Sequence, residues 1–430
     1  MTFDTLLSFI RSRIPLIVIV GALSVTDSSV AQTFSVGPAV DVSRPGDIVA
    51  EFFAATAPGN TQLMTASAIK KITPGRSLCA VYVSRDGGSV WSEAPAWPDT
   101  GFQPAFDPWV AIGADGTVYA TGIARTNMGT RAVYTQSQDE GFSWSPARAV
   151  TPLAARSLRF GADKDCLTVS ADGTIYVAFS QVLTSPVGAG ELVVARSTDG
   201  GLNWTPNDTG VNGNPNGIVT AAGGTVTVTF VGGPVPGYGT VTSTDGGDAW
   251  QAPVRLGELN LTQGLPLPSI VRDSFGRIVI GDIGGSTVPQ LEISIERDDG
   301  SVAQQWELPL PASDTCRDGR LIQPALTAGP NGSPAFQVAC KVDSTVSTQG
   351  RLEVWLYPSI DQPTLGPVLV EGIELPAQHL SQDPFATRFR DGGDYWSFTW
   401  RATGWLGMWV DPRSAGGPGV LRAAPVTPTN

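Results

Sequence analysis

The polar residues of this chain that could carry chemistry gather where extended runs begin and end. Asp107 stands two residues before the run Trp109-Val110-Ala111-Ile112, and Asp163, Lys164 and Asp165 stand just before Leu167-Thr168-Val169. Arg125 follows the return of the first run, and Asp383, Asp394, Tyr395, Asp411 and Arg413 hold comparable places near the C-terminus. Carboxylates serve as acids, bases or nucleophiles, a tyrosine beside a carboxylate can serve as a nucleophile, and arginine binds oxyanions through two parallel hydrogen bonds. Asp394, Tyr395, Asp107 and Asp165 are therefore the catalytic candidates. Arg125, Asp163, Lys164, Asp383, Asp411 and Arg413 are the ligand-binding candidates. For each, the competing reading is a charged strand end that faces solvent or ties neighbouring elements together.

The inventory excludes several mechanisms. His379 is the single histidine, no G-x-S-x-G elbow accompanies it, and a Ser-His-Asp hydrolase is excluded with it. Metal sites built on two or three histidines are impossible, and no D-x-[DN]-x-[DN]-G loop for calcium occurs, so neither a metal nor a cofactor is expected. Carboxylate, tyrosine and arginine chemistry remains.

The elements that would position these residues follow from internal repeats. Ser84 to Trp91 recurs as Ser137 to Trp144, Ser197 to Trp204 and Ser243 to Trp250, all fitting S-x-D-x-G-x-x-W at spacings of 53, 60 and 46 residues. Each copy follows a β-like run such as Ala80-Val81-Tyr82-Val83 and precedes another extended stretch, as a hairpin turn would. In such a turn Asp86, Asp139, Asp199 and Asp245 accept hydrogen bonds from turn amides, glycine supplies the backbone angle, and Trp91, Trp144, Trp204 and Trp250 cover the hairpin base. Between these turns lies a second repeat of strand, Asp-Gly turn and strand, seen at Trp109 to Ala120 and Leu167 to Val177 and more weakly near Gly217, Ser269 and Gln323. Phe52 to Ala68 and Tyr395 to Asp411 bring the inner hairpins to seven. The fifth unit has a decayed turn around Asp298 and Gly300, and the sixth has none. The spacing predicts an all-β propeller of four-stranded blades, seven rather than six, with Ser35 to Val40 closing the last blade.

The four turns resemble the Asp boxes, or BNR repeats, of the sialidase-like superfamily, where they lie on the propeller face away from the active site. Gly393-Asp394-Tyr395 and Met408-Trp409-Val410-Asp411-Pro412-Arg413 are similar to the ending of many exported BNR-repeat proteins. For a sialidase, the resemblance implies three arginines, a Tyr assisted by Glu, and an Asp. The family's arginine motif has its look-alike in Arg13-Ile14-Pro15, inside the expected leader, and Gly319-Arg320-Leu321-Ile322-Gln323-Pro324 resembles a second arginine stretch but lies in the fifth unit. Neither is carried over as catalytic. The reading is an exported propeller that binds a glycan or an extracellular protein on its central face; the alternative is a glycoside hydrolase of exo-α-sialidase type.

Composition fits this picture. With 50 Gly and 34 Pro in 430 residues, no long window keeps an uninterrupted helical period. Arg11 and Arg13 precede an apolar run from Ile14 to Val25, and Ser29-Val30-Ala31 offers small residues, so residues 1–31 read as a signal peptide and residues 32–430 as one exported domain. That run is too short for a span of roughly 20 residues. The net charge of −12 disfavours nucleic acid, and a monomer is expected. In an oxidising compartment Cys316 and Cys340, which bracket one predicted hairpin, are the expected disulfide, while Cys79 and Cys166 are as well read as free thiols as a bridge.

Overall fold

A computed structural model describes residues 32–430 except 99–100, 128, 151–159, 184–189, 214–215, 233–237, 258–266, 286–288, 298–300, 330–332, 346, 377–384, 386–387, 413–418 and 430. Asp383, Arg413, His379 and the decayed turn at Asp298 and Gly300 lie outside the described residues, as do residues 1–31, the segment expected to be a leader.

The described chain forms seven antiparallel sheets in sequence order, which are the blades of a propeller. The innermost strands are Val49–Ala57, Pro104–Ile112, Phe160–Val169, Asn216–Ala222, Ser269–Arg272, Arg320–Thr327 and Thr399–Trp400. In the first blade the chain then moves outward through Asn60–Thr73, Arg76–Ser84 and Ser92–Glu93. The last blade is completed from the other end of the chain. Phe34–Val36 and Val40–Asp41 both pair with Val420–Pro428, so the N-terminal segment supplies its outer edge. Pairing the two ends of the chain leaves no first or last blade to fray.

Residues from all seven inner strands, among them Ala55, Ala111, Val169, Ala221, Val271, Thr327 and Trp400, line one axial channel of about 450 Å³. Between blades the packing is apolar, with Tyr82, Phe52, Phe230, Phe336 and Trp409 fully buried. No helix among the described residues is long and apolar enough to cross a membrane.

The four repeated turns join the third and fourth strands of blades one to four. In each, the serine hydroxyl accepts a hydrogen bond from the glycine amide four residues on, at 2.8 or 2.9 Å, and donates to the aspartate. The carboxylate in turn accepts from the amide of the following residues, as Asp199 does from Leu202 and Asn203. These bonds hold Asp139 and Asp199 at a pKa of about 2. Trp91 and Trp204 donate to the carbonyls of Gly88 and Gly201, whereas the indole N–H groups of Trp144 and Trp250 have no hydrogen-bond partner. Gly87 and Gly246 donate to Gln62 and Gly224 in the inner hairpin turns, so both kinds of turn share one face.

A short helix, Asp314–Asp318, capped by Ser313, leads into the sixth blade. It carries Cys316, which is disulfide-bonded to Cys340. Cys79 and Cys166 are separate buried thiols. Each thiol donates to the inner strand of the next blade, Cys79 to the Phe106 carbonyl and Cys166 to that of Gly217. Burial pushes both well above the ordinary thiol range.

Candidate functional site

The face opposite the repeated turns is built by one irregularity used four times. The inner strands of blades one, two, three and six each carry an extra residue relative to their partner strand, at Ala50/Phe52, Phe106/Trp109, Asp163/Cys166 and Ile322/Ala325, and that of blade two has a further one at Pro104/Phe106. At each bulge one residue adopts a left-handed backbone: Glu51 (φ 45°), Asp107 (47°), Lys164 (52°) and Gln323 (59°). A bulge of this kind ordinarily uses glycine there, and a residue with a Cβ costs roughly 1–2 kcal/mol in that conformation. Four such costs at corresponding positions mark a constructed site, since strain of this kind concentrates where side chains must be aimed. All four are polar, and they converge.

Lys164 lies at the centre. Its ammonium is 3.0 Å from Asp107, 3.6 Å from Glu51 and 2.6 Å from Asp394, and its backbone N–H donates to Asp107 at 3.3 Å. The side chains of Asp107 and Glu51 are 3% exposed, whereas Asp394 is 53% exposed and offers its carboxylate to solvent. Burial pushes Glu51 up to about 8, against the pull of Lys164 and with the help of Asp107 and Asp394. Asp107 is also raised by burial, but the Lys164 charge and hydrogen bonds from Lys164 and Glu51 overcome it and hold it below the usual carboxylate range. Lys164 loses by burial and gains more from Asp107, Glu51 and Asp394, so its ammonium stays charged. Burial and the neighbouring carboxylates thus favour the protonated form of Glu51, whereas the Lys164 charge favours the ionised form of Asp107.

Two more carboxyls flank the centre. Asp163 is exposed at the rim, where partial desolvation and then Asp107 lift it to about 6. Asp165 is buried, and neither of its oxygens has a hydrogen-bond partner. Burial drives it well above the carboxylate range, and the Thr121 hydroxyl pulls the other way without closing a bond of ordinary geometry.

A strap of chain crosses from the sixth blade to this cluster. Asp391, Gly392 and Gly393 all have left-handed backbones (φ 63°, 82° and 99°). Gln323 donates to the carbonyls of Asp391 and Gly393 at 3.3 and 2.7 Å, Arg320 binds Asp391 at 2.9 Å, and Lys341 pairs with it too. At the far end the Asp394 N–H donates to Glu51 at 3.2 Å. A Cβ on Gly393 would fall 2.1 Å from the Glu51 side chain, so glycine is required there by space as well as by angle. The stretch Gly319 to Pro324, which opens the inner strand of the sixth blade rather than belonging to the fifth unit, and Gly393-Asp394-Tyr395, far apart in sequence, therefore meet.

Tyr395 ends the strap and turns inward. It is 5% exposed, lies 5.4 Å from the Trp109 ring, and donates to the Pro108 carbonyl at 3.3 Å. Trp109 stacks on Phe53 at 3.7 Å. Burial, then Glu51 and Asp107, raises the Tyr395 phenol well above its ordinary value. It is a packed hydrogen-bond donor.

Sequence reasoning singled out Asp107, Lys164, Asp163, Asp165, Asp394 and Tyr395, and the fold brings them together. Asp411 is placed apart, buried in the last blade 3.5 Å from Arg422. Arg125 stands at the rim with its guanidinium 4.6 Å from the Phe106 ring. Glu51 and Gln323 were missed. The available signal was spacing, since Glu51 precedes Phe53 by two residues as Asp107 precedes Trp109.

No protein-family model matches the chain, and no curated protein matches it in sequence. Among solved structures it is similar to a Hadza microbial sialidase, with a TM-score of 0.50 and 15% identity over 68% of this chain and 63% of that one. It is also similar to a mutant Trypanosoma rangeli sialidase displaying trans-sialidase activity, with a TM-score of 0.50 and 13% identity over 75% and 59% of the two chains. The chain spans less than two thirds of either structure. Likeness at this identity establishes a sialidase-like propeller fold.

Proposed function

We propose that the chain is a glycan-binding propeller that holds its ligand on the central face around Lys164 and Asp394 without cleaving it. The observation that carries this reading is the pairing state of the cluster. Asp394 and Asp163 present carboxylates to solvent and Lys164 fixes the first of them, an arrangement suited to accepting hydrogen bonds from sugar hydroxyls. Hydrolysis is poorly served by the same residues. The side chains of Glu51 and Asp107 are only 3% exposed and face the Lys164 ammonium, so neither carboxyl is offered to a bound sugar as a free acid or base. Tyr395 is buried and its phenol is held protonated, and Arg320 is committed to Asp343 and Asp391.

The test uses the chain from Gln32 onward. Binding on a glycan array, together with no turnover of fluorogenic sialosides and other glycosides, supports the proposal. Release of sugar that is lost in Tyr395→Phe or Asp394→Asn overturns it in favour of an exo-α-sialidase type of hydrolase.

A further inference from the structure

The axial channel of about 450 Å³ has two unlike sides. Blades seven, one and two, which are neighbours around the ring, contribute Trp400, Phe53 and Trp109 to its wall, whereas blades three, four and six contribute Thr168, Thr220 and Thr327. These three threonines make no side-chain hydrogen bond among the described residues. The hydroxyls on the aromatic side are already occupied, since Thr56 and Thr399 bond each other at 2.7 Å and Thr56 donates to the Trp400 carbonyl at 2.7 Å. The charged residues of the wall are tied to the turn that follows them. Asp273 accepts from the amides of Phe275 and Arg277 and from the Arg277 guanidinium, and Arg272 donates to the Gly276 carbonyl at 2.7 Å. The channel is also separate from the Lys164 cluster. None of Glu51, Asp107, Lys164, Asp394 and Tyr395 lines it, and the stacked Phe53 and Trp109 stand two residues farther along their strands than Glu51 and Asp107. Its wall continues to Ala171 and Asp273 in the inner hairpin turns, on the side of the repeated turns.

We propose that this channel is a second binding site, for a small uncharged amphipathic molecule: a flat apolar ring carrying a hydroxyl, carbonyl or amide group. It does not rest on the glycan reading of the opposite face. Ligand sites are typically concavities of roughly 300–1,000 Å³ with mostly apolar walls and a few placed polar groups, which describes this channel. An apolar ring set against Phe53, Trp109 and Trp400 removes its faces from water beside aromatic surface. Its polar substituent then meets the threonine side, where each hydroxyl can donate or accept. Other chemistries fit less well. A charged substituent would lose its hydration without gaining a counter-ion, because Arg272 and Asp273 are bound to their own turn. A wholly apolar molecule leaves the three threonine hydroxyls unpaired, and a sugar, hydroxylated on every edge, sets hydroxyls against the aromatic side.

The experiment titrates the chain from Gln32 onward with benzyl alcohol, toluene, benzoate and benzylamine, followed by ligand-observed NMR. The proteins are the parent, Asp394→Asn, a filled variant with Ala111→Leu and Ala221→Leu, and a second double variant with Thr168→Val and Thr327→Val. Ala111 and Ala221 line the channel from blades two and four, so the leucines occupy it, and melting temperatures show whether each variant folds. The valine variant keeps side-chain shape and removes two hydroxyls, so it carries the test if the filled variant does not fold. The parent is expected to bind benzyl alcohol saturably and about tenfold or more tightly than either charged analogue. Asp394→Asn should bind it equally well and the filled variant should lose it. In the valine variant the affinity for benzyl alcohol should drop to that for toluene, with toluene unchanged. The site is overturned by no saturable binding in the parent, by equal affinity for charged and neutral probes, or by loss of binding in Asp394→Asn. Undiminished binding in the folded filled variant, or an unchanged preference over toluene in the valine variant, overturns it as well.

Discussion

Lys164 and Asp107 are the same residue position in neighbouring blades: each is the left-handed member of the bulge in its inner strand, and they face each other as an ion pair at 3.0 Å. A second bond, from the Lys164 amide to Asp107, fixes the backbone of one bulge to the side chain of the other. The repeat that builds the fold thus also builds the site. Conformational strain in two strands is offset by one buried interaction between them.

Removing the lysine leaves Asp107 buried without its cation. Lys164→Met is expected to lower stability by about 3–5 kcal/mol, the usual result of breaking one side of a buried pair. Asp107→Asn in the same chain restores part of the loss because no uncompensated charge remains. Urea unfolding midpoints measure both, and equal loss in single and double variants would contradict the pairing.

Stability is expected to fall as pH rises from about 5 to 8. Glu51 keeps its proton in the folded chain up to about 8 but loses it near 4.5 when unfolded, so the folded state binds more protons across that window. Asp282, buried without a hydrogen-bond partner for its carboxylate oxygens, adds the same sign up to about 7. Asp107, held below 3.8, has the opposite sign and accounts for loss at acid pH. Glu51→Gln should flatten the alkaline slope of melting temperature against pH, and an unchanged slope would show that Glu51 ionises normally.

The repeated turns are predicted to be structural. Ser197→Ala leaves the Gly201 amide without its acceptor and removes a bond to Asp199, which costs about 1–3 kcal/mol. Ligand affinity, measured well below the melting temperature, should stay the same. A loss of affinity at full folding would move the binding face to the other side of the propeller.

Reducing the Cys316–Cys340 bridge, which closes a loop of 24 residues, is expected to cost about 3 kcal/mol. Cys79 and Cys166 should resist thiol reagents until the chain unfolds, because both are buried and held protonated. Prompt labelling of the native protein would contradict that placement.

The blades were legible because their turns are written in residue types. Ser84, Asp86, Gly88 and Trp91 each have a role that few other residues fill, and four copies make the period plain. Closure by Ser35 to Val40 was readable because an outer strand resembles other outer strands. The bulges were not legible, since a left-handed Glu51, Asp107, Lys164 or Gln323 is an exception to local preference, made possible by partners hundreds of residues away such as Asp394. For the same reason the burial of Tyr395, a candidate nucleophile by residue type, against Trp109 and the Pro108 carbonyl was not legible.

The most direct test is titration of the best array ligand into the parent, Asp394→Asn, Lys164→Met and a control, Asp208→Asn, on an outer strand of the third blade. The account predicts saturable binding by the parent and control, at least tenfold weaker binding by the two central variants, and recovery of the ligand intact. Equal affinity across all four proteins, or recovery of the ligand as cleaved sugar, contradicts it.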